Sequence, residues 1–81
     1  MTDIIIEGYQ IRIKLINQEE GNFDFEIFIN EKVVPLIFSH GYTRLTPLSS
    51  FLEDYIKDFD VRNKVEDGVF QKCIEIIQSK S

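Results

Sequence analysis

The sequence predicts a single α+β domain over residues 1–81, in which a three-stranded antiparallel β-meander precedes two α-helices packed on one face of the sheet (β-β-β-α-α). Two observations predict this fold. Apolar and polar residues alternate through the first half of the chain, and apolar residues recur with the spacing of a helix after Pro47. Because the connections between the predicted strands are short, neighbouring strands are expected to pair antiparallel in the order 1-2-3.

The first strand is predicted from Tyr9 to Leu15, where every second residue is apolar. Ile4 and Ile6 lie upstream with the opposite phase, so Gly8 is expected to mark a bulge at which the phase changes. Residues 17–22, which include Gly21, predict the turn that follows.

The second strand is predicted over residues 22–29, with Phe and Ile on one face and Asp24, Glu26 and Phe28 on the other. Asn30 and Glu31 predict a tight turn. The third strand, residues 33–38, is apolar on both faces and contains Pro35. Since proline cannot donate a ladder hydrogen bond, this strand is expected at an edge of the sheet or at a bulge.

Residues 39–46 predict a loop, after which Thr46 is expected to cap a helix whose first residue is Pro47. The apolar residues of this helix follow helical spacing as far as residue 59. A second helix is predicted over residues 67–79. Residues 60–66 leave two possibilities open: a separate turn, or the start of one longer helix in which Gly68 is tolerated.

The predicted core joins the inward residues of the strands to the apolar stripes of both helices. It consists of Ile11, Ile13, Phe25, Ile27, Leu52, Tyr55, Ile56, Phe59, Cys73, Ile74 and Ile77.

Composition supports a folded chain, because 43% of the residues are hydrophobic and 28% are charged. The formal net charge is -5. Residues 1–40 hold seven acids and three bases, whereas residues 41–81 hold seven acids and six bases. The negative charge therefore lies mainly in the N-terminal half, which disfavours direct nucleic-acid binding and favours basic partners if it is not simply solubilising.

Cys73 is the sole cysteine, so an internal disulfide is excluded. The N-terminus lacks the pattern of a signal peptide, and the run of isoleucines at residues 4–6 is too short to cross a bilayer. These features predict a cytoplasmic protein that does not associate with membranes.

The sequence predicts no enzymatic activity, no cofactor and no metal site. His40 is the sole histidine and stands near no nucleophile motif, so we interpret it as structural or as a surface residue that could touch a partner. One Cys and one His do not make a zinc site, and the carboxylates lack calcium-loop spacing. Cys73 falls on the apolar side of the second helix and is expected to pack there.

An acidic hairpin is the candidate site. Between Leu15 and Lys32 the chain carries five carboxylates and no Lys or Arg, and Phe28 lies beside them on the face opposite the core. Either this surface is only solvated, or it binds a protein. Acidic residues of the first helix would extend it if they face the same way. The predicted partner-binding residues are Glu19, Glu20, Asp24, Glu26, Phe28 and Glu31.

We therefore expect a small, acidic, intracellular protein that binds another protein, such as an inhibitor, immunity or anti-defence protein that acts on a basic partner through the acidic hairpin. The alternative is a homo-oligomeric structural or regulatory module, a homodimer being the simplest case, that associates through an open sheet edge.

Overall fold

The structure is a computed structural model that describes residues 2–80, so residues 1 and 81 of the predicted domain lie outside the described part. Five strands are followed by two helices. They are β1 (Thr2–Ile6), β2 (Tyr9–Glu19), β3 (Asn22–Ile29), β4 (Lys32–Ser39), β5 (Tyr42–Arg44), α1 (Thr46–Tyr55) and α2 (Phe59–Lys80).

The strands form one antiparallel sheet in the order β1-β2-β3-β4-β5, and both helices contribute to a core on one side of it. We call the side of the sheet that meets the helices the inner face and the other side the outer face. The α+β class, the antiparallel meander and the two helices are confirmed. The predicted number of strands is wrong, because the sheet has five strands and not three.

The first missed strand is β1. Glu7 and Gly8 have φ angles of 51° and 84° and reverse the chain between Ile6 and Tyr9, which are register partners. Two consecutive left-handed residues are typical of a two-residue hairpin turn, and the absence of a Cβ makes this conformation easy for glycine. The change of phase at Gly8 is therefore a hairpin turn and not the bulge predicted there.

The bulge lies elsewhere, in β2. The β2–β3 register shifts between Leu15 and Asn17, so Ile16 has no partner on β3. After the bulge β2 continues to Glu19, and the predicted turn over residues 17–22 shrinks to Glu20 and Gly21. A bulge inserts one residue into the alternation, which explains why the sequence pattern stops at Leu15 although the strand does not.

Pro35 lies in β4, which pairs with β3 on one side and with β5 on the other, but the β5 side of β4 is unpaired at Pro35. It is the register partner of Glu26 on β3. On the other side, β5 pairs with β4 only over residues 37–39, so β5 does not reach Pro35. The expectation of an edge strand is wrong for β4 as a whole, but its physical reason holds locally, because no ladder partner on β5 requires a donor from residue 35.

The two helices meet at a boundary that the sequence pattern places wrongly. Helix α1 ends at Tyr55, and Ile56 is already extended. The Asp58 carboxylate accepts hydrogen bonds from the backbone N–H groups of Asp60 and Val61, at 2.9 and 3.2 Å. Asp58 therefore caps the start of α2, where it satisfies two otherwise unpaired donors.

This boundary corrects two further predictions. Phe59 belongs to α2 and is 63% exposed, so it is not a core residue. At the start of α1 the cap is Leu45, without a side-chain hydrogen bond, and Thr46 is already helical, whereas proline lies in the first turn as expected.

Helix α2 is the longer of the two alternatives, since residues 60–66 continue into it without a break. Gly68 has a specific reason to be there. A Cβ atom built on Gly68 would overlap Cδ1 of Ile6 and lie 3.3 Å from its Cγ1. The missing side chain thus allows α2 to approach β1 closely.

The core is larger than predicted. Of the predicted residues, Tyr55, Ile74 and Ile77 are only partly buried and pack against its rim. The buried residues that the prediction omitted are Ile29, Val34, Leu36, Phe38, Leu48, Val65 and Val69. Within residues 2–80, neither helix has the length and apolar composition required to cross a bilayer.

Candidate functional site

Side chains that could bind a metal or act in catalysis are dispersed over the described residues. Residues 2–80 contain no cluster of three or more His, Cys, Asp or Glu side chains that could hold a metal ion. Within the same range every buried residue is apolar.

His40 joins two turns. It lies in the β4–β5 turn, and its backbone N–H donates to the carbonyl oxygen of Gly21 at 2.7 Å. A Cβ atom on Gly21 would stand only 2.6 Å from Nδ1 of His40, so the imidazole lies directly over the β2–β3 turn. This contact is consistent with the structural interpretation of His40.

Cys73 is fully buried among apolar side chains on α2. Burial raises the pKa of its thiol from 9.0 to about 12, because the charged thiolate is poorly solvated there. The reactive thiolate is therefore scarce near neutral pH.

We expect Cys73 to react slowly with an aromatic disulfide reagent under native conditions, and to react rapidly in urea. Because burial raises the pKa of Cys73, the folded state is fully stable with respect to this group below pH 9.0. The contribution of the group to folding stability is lost as the pH rises towards about 12. Labelling rates from pH 7 to 9 test this, with the urea-unfolded chain as the control. Equal native and unfolded rates would show that the thiol is accessible.

The acidic hairpin lies partly on the outer face. Asp24, Glu26 and Phe28 follow one another along this face of β3, and each is half-buried. The alternation of β3 explains this, because Phe25 and Ile27 occupy the inner face between them.

The other predicted residues lie at the two ends of the hairpin. Glu19 and Glu20 are exposed at the β2–β3 turn, and Glu31 is exposed at the β3–β4 turn. Since β3 has eight residues, these ends are about 25 Å apart. The structure therefore brings Asp24, Glu26 and Phe28 together and separates Glu31 from Glu19 and Glu20.

Basic residues border the acidic ones on the outer face. Lys14 of β2 is the register partner of Glu26, and Arg12 is that of Phe28. Beside them, Nδ2 of Asn17 donates to Oδ2 of Asp24 at 3.3 Å. A basic stripe on β2 thus runs beside an acidic stripe on β3, and the hairpin is not the purely acidic ridge that the local sequence suggests.

The acidic residues of α1 do not extend this surface. Glu53 and Asp54 are exposed on a helix that lies against the inner face, and Asp58 caps α2. The sheet lies between these α1 residues and Asp24 and Glu26 on the outer face. The end of α1 instead approaches the β3–β4 turn, where Nδ2 of Asn30 donates to the Tyr55 hydroxyl at 3.2 Å.

Apolar side chains on the outer face are the feature that the sequence analysis overlooked. Ile5, Val33 and Tyr42 are 70%, 54% and 82% exposed, and each pairs across the sheet with an outer-face neighbour. A shallow depression of about 700 Å³ lies beside Ile5. Its lining includes Asp3, Ile5, Gln10, Arg12, Phe28 and Glu31. The alternation in β4 could have revealed this face, since residues 33–38 are apolar on both sides.

Comparison with known proteins gave no match, because no family model, no curated protein and no solved structure is significantly similar to the chain. Its function is therefore argued from its own surface.

Proposed function

We propose that this protein is a non-enzymatic, intracellular protein-binding module whose contact surface is the outer face of the sheet. One observation carries the proposal. Both helices lie on the inner face, so no described element covers the outer face, although it displays Ile5, Val33 and Tyr42. Val33, Pro35 and Ile37 follow one another along the outer face of β4, with Phe28 beside Val33. A continuous apolar strip on an uncovered face is typical of an interaction surface. The free thiol of Cys73 supports a reducing compartment.

The outer face combines a central aromatic side chain with charged residues around it, as protein interfaces do. Phe28 lies on the outer face between Arg12 and Val33, its register partners on the neighbouring strands. Burial of this aromatic and its apolar neighbours would supply most of the affinity. The charged residues on β2 and β3 would orient the partner and exclude partners whose charges do not match.

An inhibitor or immunity-type protein that acts on a basic partner is the second candidate. It is supported by the net charge of -5 and by the exposed Glu19, Glu20 and Glu31 at the ends of the hairpin. On the outer face itself Arg12 and Lys14 offset Asp24 and Glu26, so this partner would contact mainly the ends of the hairpin. Association through the open edge of β1 is a further route, since β1 pairs only with β2 among the described strands.

We expect a charged substitution on the outer face to abolish partner binding while the fold is retained. The tagged parent protein and a Val33→Asp variant would each be used to capture proteins from the native cell. Val33 is exposed but lies in β4, so its replacement by aspartate is expected to cost about 1 kcal/mol through lower strand propensity, too little to unfold the domain.

Phe59→Asp is the matched control, because it places the same charge on an exposed apolar residue that lies on α2 rather than on the outer face. The proposal predicts that the Val33→Asp variant loses the proteins that the parent and the control retain, including any untagged copies of this chain. Retention of the same proteins by all three would rule out the outer face as the contact surface.

A further inference from the structure

We propose that the outer face binds a second copy of the chain, about a twofold axis that runs parallel to the strands between β2 and β3. The inference rests on the proposed function, because it names the partner of the same face. It differs from association through a sheet edge, since the two sheets would stack face to face.

The charges on the central strands are self-complementary. On the outer face β2 carries Arg12 and Lys14, and the adjacent strand β3 carries Asp24 and Glu26. Lys14 and Glu26 are direct register partners, so the boundary between positive and negative runs along the middle of this pair of strands. A twofold rotation about that boundary exchanges the two stripes.

This rotation lays β2 of each copy over β3 of the other while it preserves the position along the strands. Lys14 of one copy then faces Glu26 of the second copy, and symmetry repeats the contact. Arg12, whose Nε donates to Oδ1 of Asp3 in its own chain at 2.9 Å, likewise faces the ring of Phe28, and an aromatic ring attracts a guanidinium. An axis above β2 would instead place Lys14 on Lys14, and an axis above β3 would place Glu26 on Glu26.

The same rotation lays β1 of one copy over β4 of the other. Asp3 and Val33 are register neighbours of Arg12 and Phe28, in the same row across the sheet. The exposed Val33 of the second copy therefore meets the depression beside Asp3, whose volume of about 700 Å³ easily admits a valine side chain. The twofold rotation that pairs Lys14 with Glu26 therefore also places an exposed apolar side chain at the depression.

The size of the face sets the expected affinity. The axis overlays β1 on β4 and β2 on β3, so β5 lies outside the contact. With strands about 4.8 Å apart, five paired residues in β1 and eight in β3, the shared face is roughly 400 Å² per copy. Two copies would bury about 800 Å² in total, a size typical of weak, transient association. We therefore expect a weak, reversible dimer with a dissociation constant on the order of 100 μM.

Charge reversal in trans tests the geometry. Lys14→Glu and Glu26→Lys would be purified separately, and sedimentation velocity would be measured for the parent, each variant and their equimolar mixture. In each variant both intermolecular contacts become like-charged, so its self-association should weaken about tenfold or more. In the mixture each copy meets the opposite charge twice, so a mixed dimer should form nearly as tightly as the parent dimer.

The mixture separates contacts between copies from contacts within one. Each variant keeps its unfavourable pair between residues 14 and 26 of its own chain, so only an intermolecular contact can restore assembly. Asp54→Lys and Lys57→Glu are the matched controls, because both residues are exposed outside the sheet, and their dimers should equal that of the parent. The Lys14→Glu/Glu26→Lys double variant should dimerise with the parent's affinity.

Each other result contradicts the inference. A parent that stays monomeric at several hundred micromolar would exclude the dimer. Single variants that dimerise like the parent, or a mixture that stays monomeric, would exclude this axis. The proposed function is tested separately. It holds, whatever the outcome for the dimer, if cellular proteins bind the parent but not the Val33→Asp variant. It fails if those proteins bind both and the parent remains monomeric.

Discussion

Replacing Phe25 with alanine is expected to lower the free energy of unfolding by about 3–5 kcal/mol. Phe25 is 1% exposed in the middle of β3, and its ring centroid lies 5.7 Å from that of Phe38 in an edge-to-face arrangement. Removal of the ring loses both this contact and the burial of a large apolar surface. Because β3 is the central strand of the sheet, its neighbours cannot easily close the cavity.

Phe59→Ala is the matched control, since it deletes the same side chain at a position that is 63% exposed. We expect it to change stability by about 0.5 kcal/mol or less. Urea unfolding followed by circular dichroism measures both variants. A small domain is stable by about 5–15 kcal/mol, so the Phe25 variant should unfold at much lower denaturant concentration. Equal losses for the two variants would contradict the placement of Phe59 outside the core.

Replacing Gly68 with valine is expected to cost about 1–3 kcal/mol through overpacking. Helix propensity alone predicts a gain, because glycine is the poorest helix former after proline. Tertiary contact opposes that gain, since even the Cβ atom of the new side chain would overlap Cδ1 of Ile6 on β1. The substitution would force α2 away from the sheet or Ile6 out of its position.

A double-mutant cycle isolates this contact. Ile6→Ala alone should destabilise the protein, but in its background Gly68→Val should cost much less, because the obstructing side chain is gone. Gln71→Val serves as the control for propensity on the exposed side of the same helix. If Gly68→Val raises the thermal stability, as helix propensity alone predicts, while Gln71→Val lowers it slightly, the close approach of α2 to β1 is not a constraint.

The two central strands explain why the candidate surface has mixed charge. Lys14 and Glu26 lie on separate strands but are cross-strand partners, and such pairs of opposite charge stabilise a sheet modestly. The pairing also limits the attraction of this face for a strongly basic protein. A partner with its own alternating stripes, such as a second copy, satisfies both charges at once.

Strand β3 shows how far sequence patterns reach. Residues 22–29 alternate strictly, and the structure has β3 over the same residues, with Asp24, Glu26 and Phe28 on the outer face. Prediction succeeds here because the face of each side chain follows from the period of the strand alone. The same logic correctly places Cys73 in the core of the helical layer.

Local patterns failed where one signal allowed two structures. A change of phase at Gly8 fits a bulge as well as a hairpin turn, and only the pairing of Ile6 with Tyr9 distinguishes them. Apolar spacing continues through Phe59, although Asp58 ends that pattern by capping a new helix. Strand β5 has three residues and hence too few alternations to reveal a strand.

By itself, the sequence determined the α+β class, the antiparallel meander and the side of β3 on which each candidate residue lies, because these depend on residue periodicity within single elements. Tertiary structure alone decided that Lys14 stands beside Glu26, that Ile6 lies against Gly68, and that the acids of α1 are separated from the outer face by the sheet. These relations join residues distant in the chain, and they depend on register and on the closeness of helix packing, which no local pattern encodes.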